Sequence, residues 1–251
     1  MKIGNDHITT LAYIPLHYGK QYLDYVLKSI HPFVDTILIL YTSTPTYGHN
    51  TNLKNPDSGQ ELKAICDKYN KIIWQDITGS VSRENNHRQL AYNYAQESLR
   101  RPNGKNFDLV FAVDSDEIWN PDKVEEALHA AYNSGHHFHC IAGSQWYHFW
   151  KNHKEVNRDG FYPMRITNLN NNVKNQKIIE KGEIYHMGYA LDEEIMRYKL
   201  SCHGHKSEIP SRWFEDKWLN YERGVTTHLH PASRDIWIQT EDFTGKLPYG
   251  L

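Results

Sequence analysis

At 251 residues, with 39% hydrophobic and 23% charged side chains, the chain has the size and composition of a globular α/β protein with one sizeable core, which sets aside disorder and fibrous repeats. A formal net charge of −2, from 28 basic and 30 acidic residues, sets aside a basic field that would gather nucleic acid or an anionic membrane. No window approaches about 18 uninterrupted apolar residues and the first residues lack the regions of a signal peptide, so the expectation is a cytoplasmic protein with no transmembrane segment, of microbial or viral origin.

In chain order, Ile8–Leu16 is a short β-rich run, and Gly19–Ile30 sets Tyr22, Leu23, Val26, Leu27 and Ile30 at helical spacing. Thr36–Tyr41 (TILILY) is a continuous apolar run bounded by turn residues, the pattern of a parallel strand covered on both faces. Gln60–Tyr69 is predicted as a second helix, Lys71–Ile77 as a third strand, Asn86–Arg100 as a longer helix and Phe107–Val113 as a fourth strand. Strands alternating with helices imply βαβ units and a mostly parallel sheet flanked by helices.

The second half reads differently. A helix is predicted from Pro121, where proline suits the first turn. Aromatic and β-branched residues then dominate His137–Trp150, followed by Gly160–Asn168, a polar stretch to Lys177 and the run Ile178–Tyr185. Leu191–Leu200 and Arg212–Tyr221 are predicted helices. No linker or repeat divides the chain, so residues 1–251 are expected to form one domain, with halves of different pattern, 1–120 and 121–251.

The sharpest chemical signal is Asp114-Ser115-Asp116-Glu117, three carboxylates directly after an apolar strand. Strand-end carboxylates lie where α/β sheets bind ligands, and oxygen donors suit a hard divalent cation, Mg²⁺ or Mn²⁺, shared with substrate phosphates. The competing reading is an acidic cap on the following helix, although one cap needs only one of the three. The three cysteines, Cys66, Cys140 and Cys202, have no zinc spacing and fit a reducing compartment.

Asp114-Ser115-Asp116, after the fourth strand of such a half, resembles the DXD motif of GT-A glycosyltransferases, and Asp-Ser-Asp-Glu is similar to a segment of family-2-like members. The resemblance spans roughly residues 8–205 and is firmest up to 120. It implies a Rossmann-like GT-A fold with a C-terminal acceptor-side extension, residues 1–120 forming the nucleotide-binding half and 121–251 the acceptor-side half. The activity implied is metal-dependent transfer of a sugar from a nucleoside-diphosphate sugar, UDP-sugars being the expected class, to a carbohydrate or glycoconjugate acceptor. By resemblance Asp114 faces ribose and metal, Asp116 holds the Mn²⁺ or Mg²⁺, and His186, ahead of a glycine, supplies a further metal ligand. Arg83 or Arg88 is the expected nucleotide contact, and Tyr13, Pro15 and Asp76 occupy places where relatives hold the base. Lys199 offers a point charge to the leaving diphosphate, and His203 or His205 a phosphate contact or an alternative metal ligand. Asp159 and Glu193 are candidate catalytic carboxylates, with Glu155, Asp192 and Glu194 as alternatives. The aromatic segment Gln145–Trp150 reads equally as a sugar-stacking wall and as core. Two other functions compete: a nucleotidyltransferase, for which Ala12–Leu16 lacks the usual glycine-rich basic motif, and a non-catalytic carbohydrate- or nucleotide-binding module.

Overall fold

The computed structural model describes the chain apart from residues 1, 4–5, 46–50, 80–83, 99–106, 159, 203–205 and 234–235. Four strands alternating with three helices build the first half: β1 (Thr10–Leu16), α1 (Lys20–Ile30), β2 (Thr36–Tyr41), α2 (Gly59–Cys66), β3 (Ile72–Asp76), α3 (Glu84–Asn93) and β4 (Leu109–Ala112). Then come β5 (Glu117–Trp119), α4 (Pro121–Asn133), β6 (Phe138–Ile141), β7 (Trp146–Trp150), β8 (Glu155–Asn157) and β9 (Met164–Asn168). The last elements are β10 (Gln176–Ile179), β11 (Ile184–Tyr189), α5 (Glu193–Cys202) and β12 (Glu241–Asp242).

The larger sheet has seven strands in the order β10-β6-β9-β4-β1-β2-β3. Strands β4, β1, β2 and β3 run parallel, and β6 pairs parallel with β10. Only β9 runs against its neighbours, β4 and β6. The period of two explains how helices cover both faces. Ala12, Ile14, Ile37 and Ile39 pack with α1, α2 and α4, while Leu11, Tyr13, Leu38 and Leu40 pack with Ala91 and Ala95 on and just after α3. TILILY is therefore a two-sided buried strand, as its unbroken apolar run predicts.

Several boundaries differ from the sequence pattern. The helix expected to reach Arg100 is α-helical only to Asn93 and continues as a π-helical stretch, Tyr94–Ser98. His137–Trp150 is not one strand: Gly143–Gln145 turns the chain, sending β6 to the large sheet and β7 to another. Ile178–Tyr185 likewise splits at Gly182, whose φ of +88° suits glycine. A π-helical turn, Phe214–Leu219, occupies the middle of the helix expected over Arg212–Tyr221. Most consequential is β5, directly after the acidic cluster, which pairs with β11 in a five-stranded sheet of order β12-β8-β7-β11-β5. Three residues are too few for a period to register. No helix among the described residues is long and apolar enough to cross a membrane.

The start of α1 shows how tightly the loops at the strand ends are set. Gly19 has φ of +130°, and a Cβ there would lie 2.8 Å from Ser115 Oγ. The backbone N–H groups of Gly19 and Lys20 donate to the buried Asp57 carboxylate at 2.7 and 2.9 Å, capping the helix. Gly79 has a comparable φ of +79° but no atom within 4 Å of its would-be Cβ. Gly19→Ala is thus expected to lower the unfolding free energy in urea by about 1–3 kcal/mol, and by more than Gly79→Ala, which meets backbone strain alone.

Candidate functional site

The strand order places a crossover between β1 and β4. From β1 the chain proceeds outward through β2 and β3, then returns to lay β4 on the other side of β1. Loops leaving two such strands diverge and open a crevice at their carboxyl ends, where open α/β sheets bind ligands. Here that crevice is a cleft of about 630 Å³, lined by Pro15–Tyr18 at the carboxyl end of β1 and Asp114–Asp116 after β4.

Asp114 leaves β4 with its side chain about one-third exposed, while Glu117, opening β5, is fully buried. Both carboxylates bind one guanidinium. Arg165 Nη2 donates to Asp114 Oδ2 at 2.8 Å and to Glu117 Oε1, and the arginine side chain is only 5% exposed. Glu117 also accepts from the Asp114 backbone N–H at 3.3 Å. Burial pushes the Glu117 carboxyl up, the nearby Asp114 and Asp116 add to this, and Arg165 opposes it.

Asp116 has a different cation. Lys199 Nζ, on α5, donates to Asp116 Oδ2 at 3.1 Å and to the Gly188 carbonyl at 3.0 Å. Burial alone would raise the Asp116 carboxyl, but the Lys199 ammonium and its hydrogen bond, with His186, hold it well below the ordinary range. The ladder between β11 and β5 sets His186 opposite Glu117, and Met187 N–H donates to the Asp116 carbonyl at 2.7 Å. His186 Nε2 then stands 3.7 Å from Asp116 Oδ1, and its Nδ1 lies 2.9 Å from His148 Nδ1. Of those two Nδ1 atoms one donates and the other accepts. Burial holds the His186 imidazole well below its usual value, hence neutral at pH 7. Gly188 permits this convergence, since a Cβ would lie 2.5 Å from His186 Nε2 and 2.7 Å from Lys199 Nζ.

Of the residues singled out in the sequence, Pro15, Asp114, Asp116, His186 and Lys199 line this one cleft. Tyr13 does not: it points into the core beneath α3 with Leu38 and Leu40, because it falls on the opposite face of β1 from Ala12 and Ile14. Asp76, ending β3 two strands away, accepts from Thr78 N–H at 2.9 Å. Arg88 is half-buried outside the cleft, and the helix instead presents the buried His87 to it. Glu193 sits in the first turn of α5, paired with Arg197 at 2.8 Å on the surface. Arg83, Asp159, His203 and His205 lie outside the described residues. The segment Gln145–Trp150 proves mostly core, with Trp146 and His148 alone of it reaching the cleft.

Residues not anticipated as site members are Arg165, Trp237, Glu208 and His230. Arg165 carried a usable signal: an arginine inside a buried strand, here Met164–Asn168, must be paired. Trp237 and His230 come from a loop-like C-terminal stretch with no periodic cue. His17 also lines the cleft, with Nδ1 donating to Thr42 O at 2.7 Å and Nε2 accepting from Tyr198 Oη at 2.8 Å.

No family model and no curated protein matches this sequence. Among solved structures, the chain is similar to glucosyl-3-phosphoglycerate synthase from Mycobacterium tuberculosis, in complex with Mn²⁺, UDP and phosphoglyceric acid. The identity is 17% over 53% of this chain and 43% of that one, with a TM-score of 0.31. The match thus spans less than half the length of the synthase. An active-site mutant of LgtC is 11% identical over 95% of this chain and 88% of its own, with a TM-score of 0.33. Likenesses this distant assign neither substrate nor chemistry to the present chain.

The buried guanidinium has a measurable consequence. Arg165→Leu strands two carboxylates, and the expected loss of stability is about 3–5 kcal/mol. Glu117, whose folded carboxyl is already raised, then takes up a proton in the folded state more readily than in the unfolded chain. Between the unfolded value of about 4.3 and the raised folded one, the folded state binds the extra proton, so stability falls as pH rises. Urea midpoints of Arg165→Leu relative to wild type should accordingly drop further at pH 8 than at pH 5.

Proposed function

We propose that the cleft binds a nucleoside-diphosphate sugar, a UDP-sugar in the first instance, and that the chain is a GT-A-type glycosyltransferase. The observation that carries this reading is the set Asp114, Asp116, His186 and Lys199 brought together at the carboxyl ends of β1 and β4, at the sheet's crossover. Two carboxylates with a buried ammonium suit a diphosphate better than a neutral ligand, since each phosphate needs either a cation or a metal between it and the acids.

The donor set fits a divalent cation in part. Asp116 Oδ1 and His186 Nε2 face each other at 3.7 Å, a separation that one ion about 2.0–2.2 Å from each would span. His186 is neutral, as ligation requires. Asp114 has one oxygen engaged by Arg165, and no group of three potential ligands converges among the described residues. Mn²⁺ or Mg²⁺ held here would take its remaining ligands from phosphate and water, the usual habit of a hard cation at a substrate phosphate. When bound, such an ion supplies Lewis-acid stabilisation to the departing diphosphate.

The chain's own residues do the rest. Lys199, fixed by Asp116 and the Gly188 carbonyl, holds a positive charge beside the phosphates at no cost in reorganisation. In the transfer, the acceptor oxygen bonds to the anomeric carbon as the bond from that carbon to the diphosphate oxygen breaks. The hydroxyl proton passes to a carboxylate on the acceptor side, a role we give to Glu208, which lines the cleft.

Asp116→Asn should reduce sugar transfer by at least about 100-fold, near 2.7 kcal/mol of barrier, while the circular dichroism spectrum is retained. In calorimetry, UDP should bind wild type at least about tenfold more weakly in EDTA than in Mn²⁺. Activity of Asp116→Asn within a few-fold of wild type would overturn the assignment of the site. Equal UDP affinities with and without chelator would overturn the metal alone.

A further inference from the structure

The cleft does not end at the donor site. Glu208, His230, Pro231 and Ala232 form one of its walls and also line a second groove of about 620 Å³. The cleft alone already falls within the range of about 300–1,000 Å³ typical of small-molecule sites, so the groove is room beyond what the donor needs.

The groove runs between the segment 210–217 and the loop 228–233. Two hydrogen bonds pin these walls to each other's strands of chain. Trp213 Nε1–H donates to Leu229 O at 3.1 Å, and Lys217 Nζ donates to Thr227 O at 2.7 Å. The walls are therefore held at a set separation before any ligand arrives, which lowers the ordering cost of binding.

Its chemistry is balanced. Two acids, Glu208 and Asp216, face two bases, Arg212 and Lys217. Arg212 is matched to Asp216 at 2.9 Å, so its guanidinium is not held in reserve for a phosphate or carboxylate. An anionic ligand would gain little net attraction from such a surface, because the two acids offset the two bases. A hydroxyl both donates and accepts, and carboxylates, guanidinium, serine hydroxyls and imidazole together offer partners of both kinds.

We propose that this groove is the acceptor subsite and that it takes an uncharged, hydroxyl-rich chain, an oligosaccharide of at least two rings. Its terminal ring lies at the wall formed by Glu208 and His230, and the following ring occupies the groove. The inference rests on the reading of the cleft as a nucleotide-sugar site, and it deepens that reading by naming the class of acceptor and the direction in which it leaves.

The test uses the whole chain, loaded with UDP and Mn²⁺, on an array of neutral di- to tetrasaccharides that also carries phosphorylated and carboxylated glycans. Saturation-transfer NMR on the hits follows. Neutral oligosaccharides should bind, and the corresponding monosaccharides should bind at least about tenfold more weakly. Ser211→Trp fills the groove from an exposed position outside the cleft. It should weaken oligosaccharide binding by at least about tenfold while leaving monosaccharide binding and UDP affinity within about twofold of wild type. The proposal is overturned if no neutral oligosaccharide binds, if the phosphorylated or acidic glycans bind better, or if Ser211→Trp binds the hits as wild type does. Should UDP fail to bind while a neutral oligosaccharide binds in a Ser211-sensitive manner, the groove stands and the donor reading falls.

Discussion

One buried guanidinium holds the centre of this molecule together. Arg165 ties Asp114, at the end of a large-sheet strand, to Glu117, at the start of a small-sheet strand. Two carboxylates three positions apart, one of them fully buried, would cost several kcal/mol of desolvation and repulsion without a cation between them. The arginine that meets this need lies on β9, the single reversed strand of the large sheet. Reversal of that strand beside β4 is thus what brings the counter-charge to the place where the two sheets separate.

Lys199 repeats the arrangement on the other side. It comes from α5 and reaches Asp116 past Gly188, whose missing side chain leaves room for both the ammonium and the His186 ring. Each of the two strand-end aspartates is consequently held by its own cation before any ligand binds. Charges fixed in this way in a partly dry cleft do not have to reorganise during a reaction, and this is where an electrostatic site gains its power. The histidine pair adds a neutral, oriented nitrogen at the same point, set by the parallel register of His186 with His148.

The five-stranded sheet gives the cleft its far wall. Its strands β7 and β11 carry Trp146, His148 and His186, and Trp237 packs against His148 and Tyr189 at centroid distances of 4.7 and 5.0 Å. An aromatic wall facing a charged wall is a surface suited to a ligand with one polar and one apolar aspect. The same C-terminal chain continues into the groove beyond Glu208, so the cleft and the groove meet along a single loop.

Much of the first half was legible in the sequence. TILILY, the spacing Tyr22–Ile30 and the acidic cluster after LVFA are local signals, since an apolar period reports which face of an element is covered, and carboxylates directly after a buried strand stand at its mouth. What only the tertiary structure decided is which charge meets which. Arg165 lies 48 residues beyond Glu117, and Lys199 lies 83 beyond Asp116. Their meeting depends on strand order, on the reversal of β9 and on the register of β11 against β5, and periodicity encodes none of these. The same holds for Glu193 and Arg88: a helix position fixes the spacing of side chains, but only packing fixes which of them faces a cleft. So the α/β class and Asp114–Asp116 belong to the sequence, while the cations, the histidine pair and the groove belong to the fold, because long-range pairing is set by the burial of whole faces and not by any one segment.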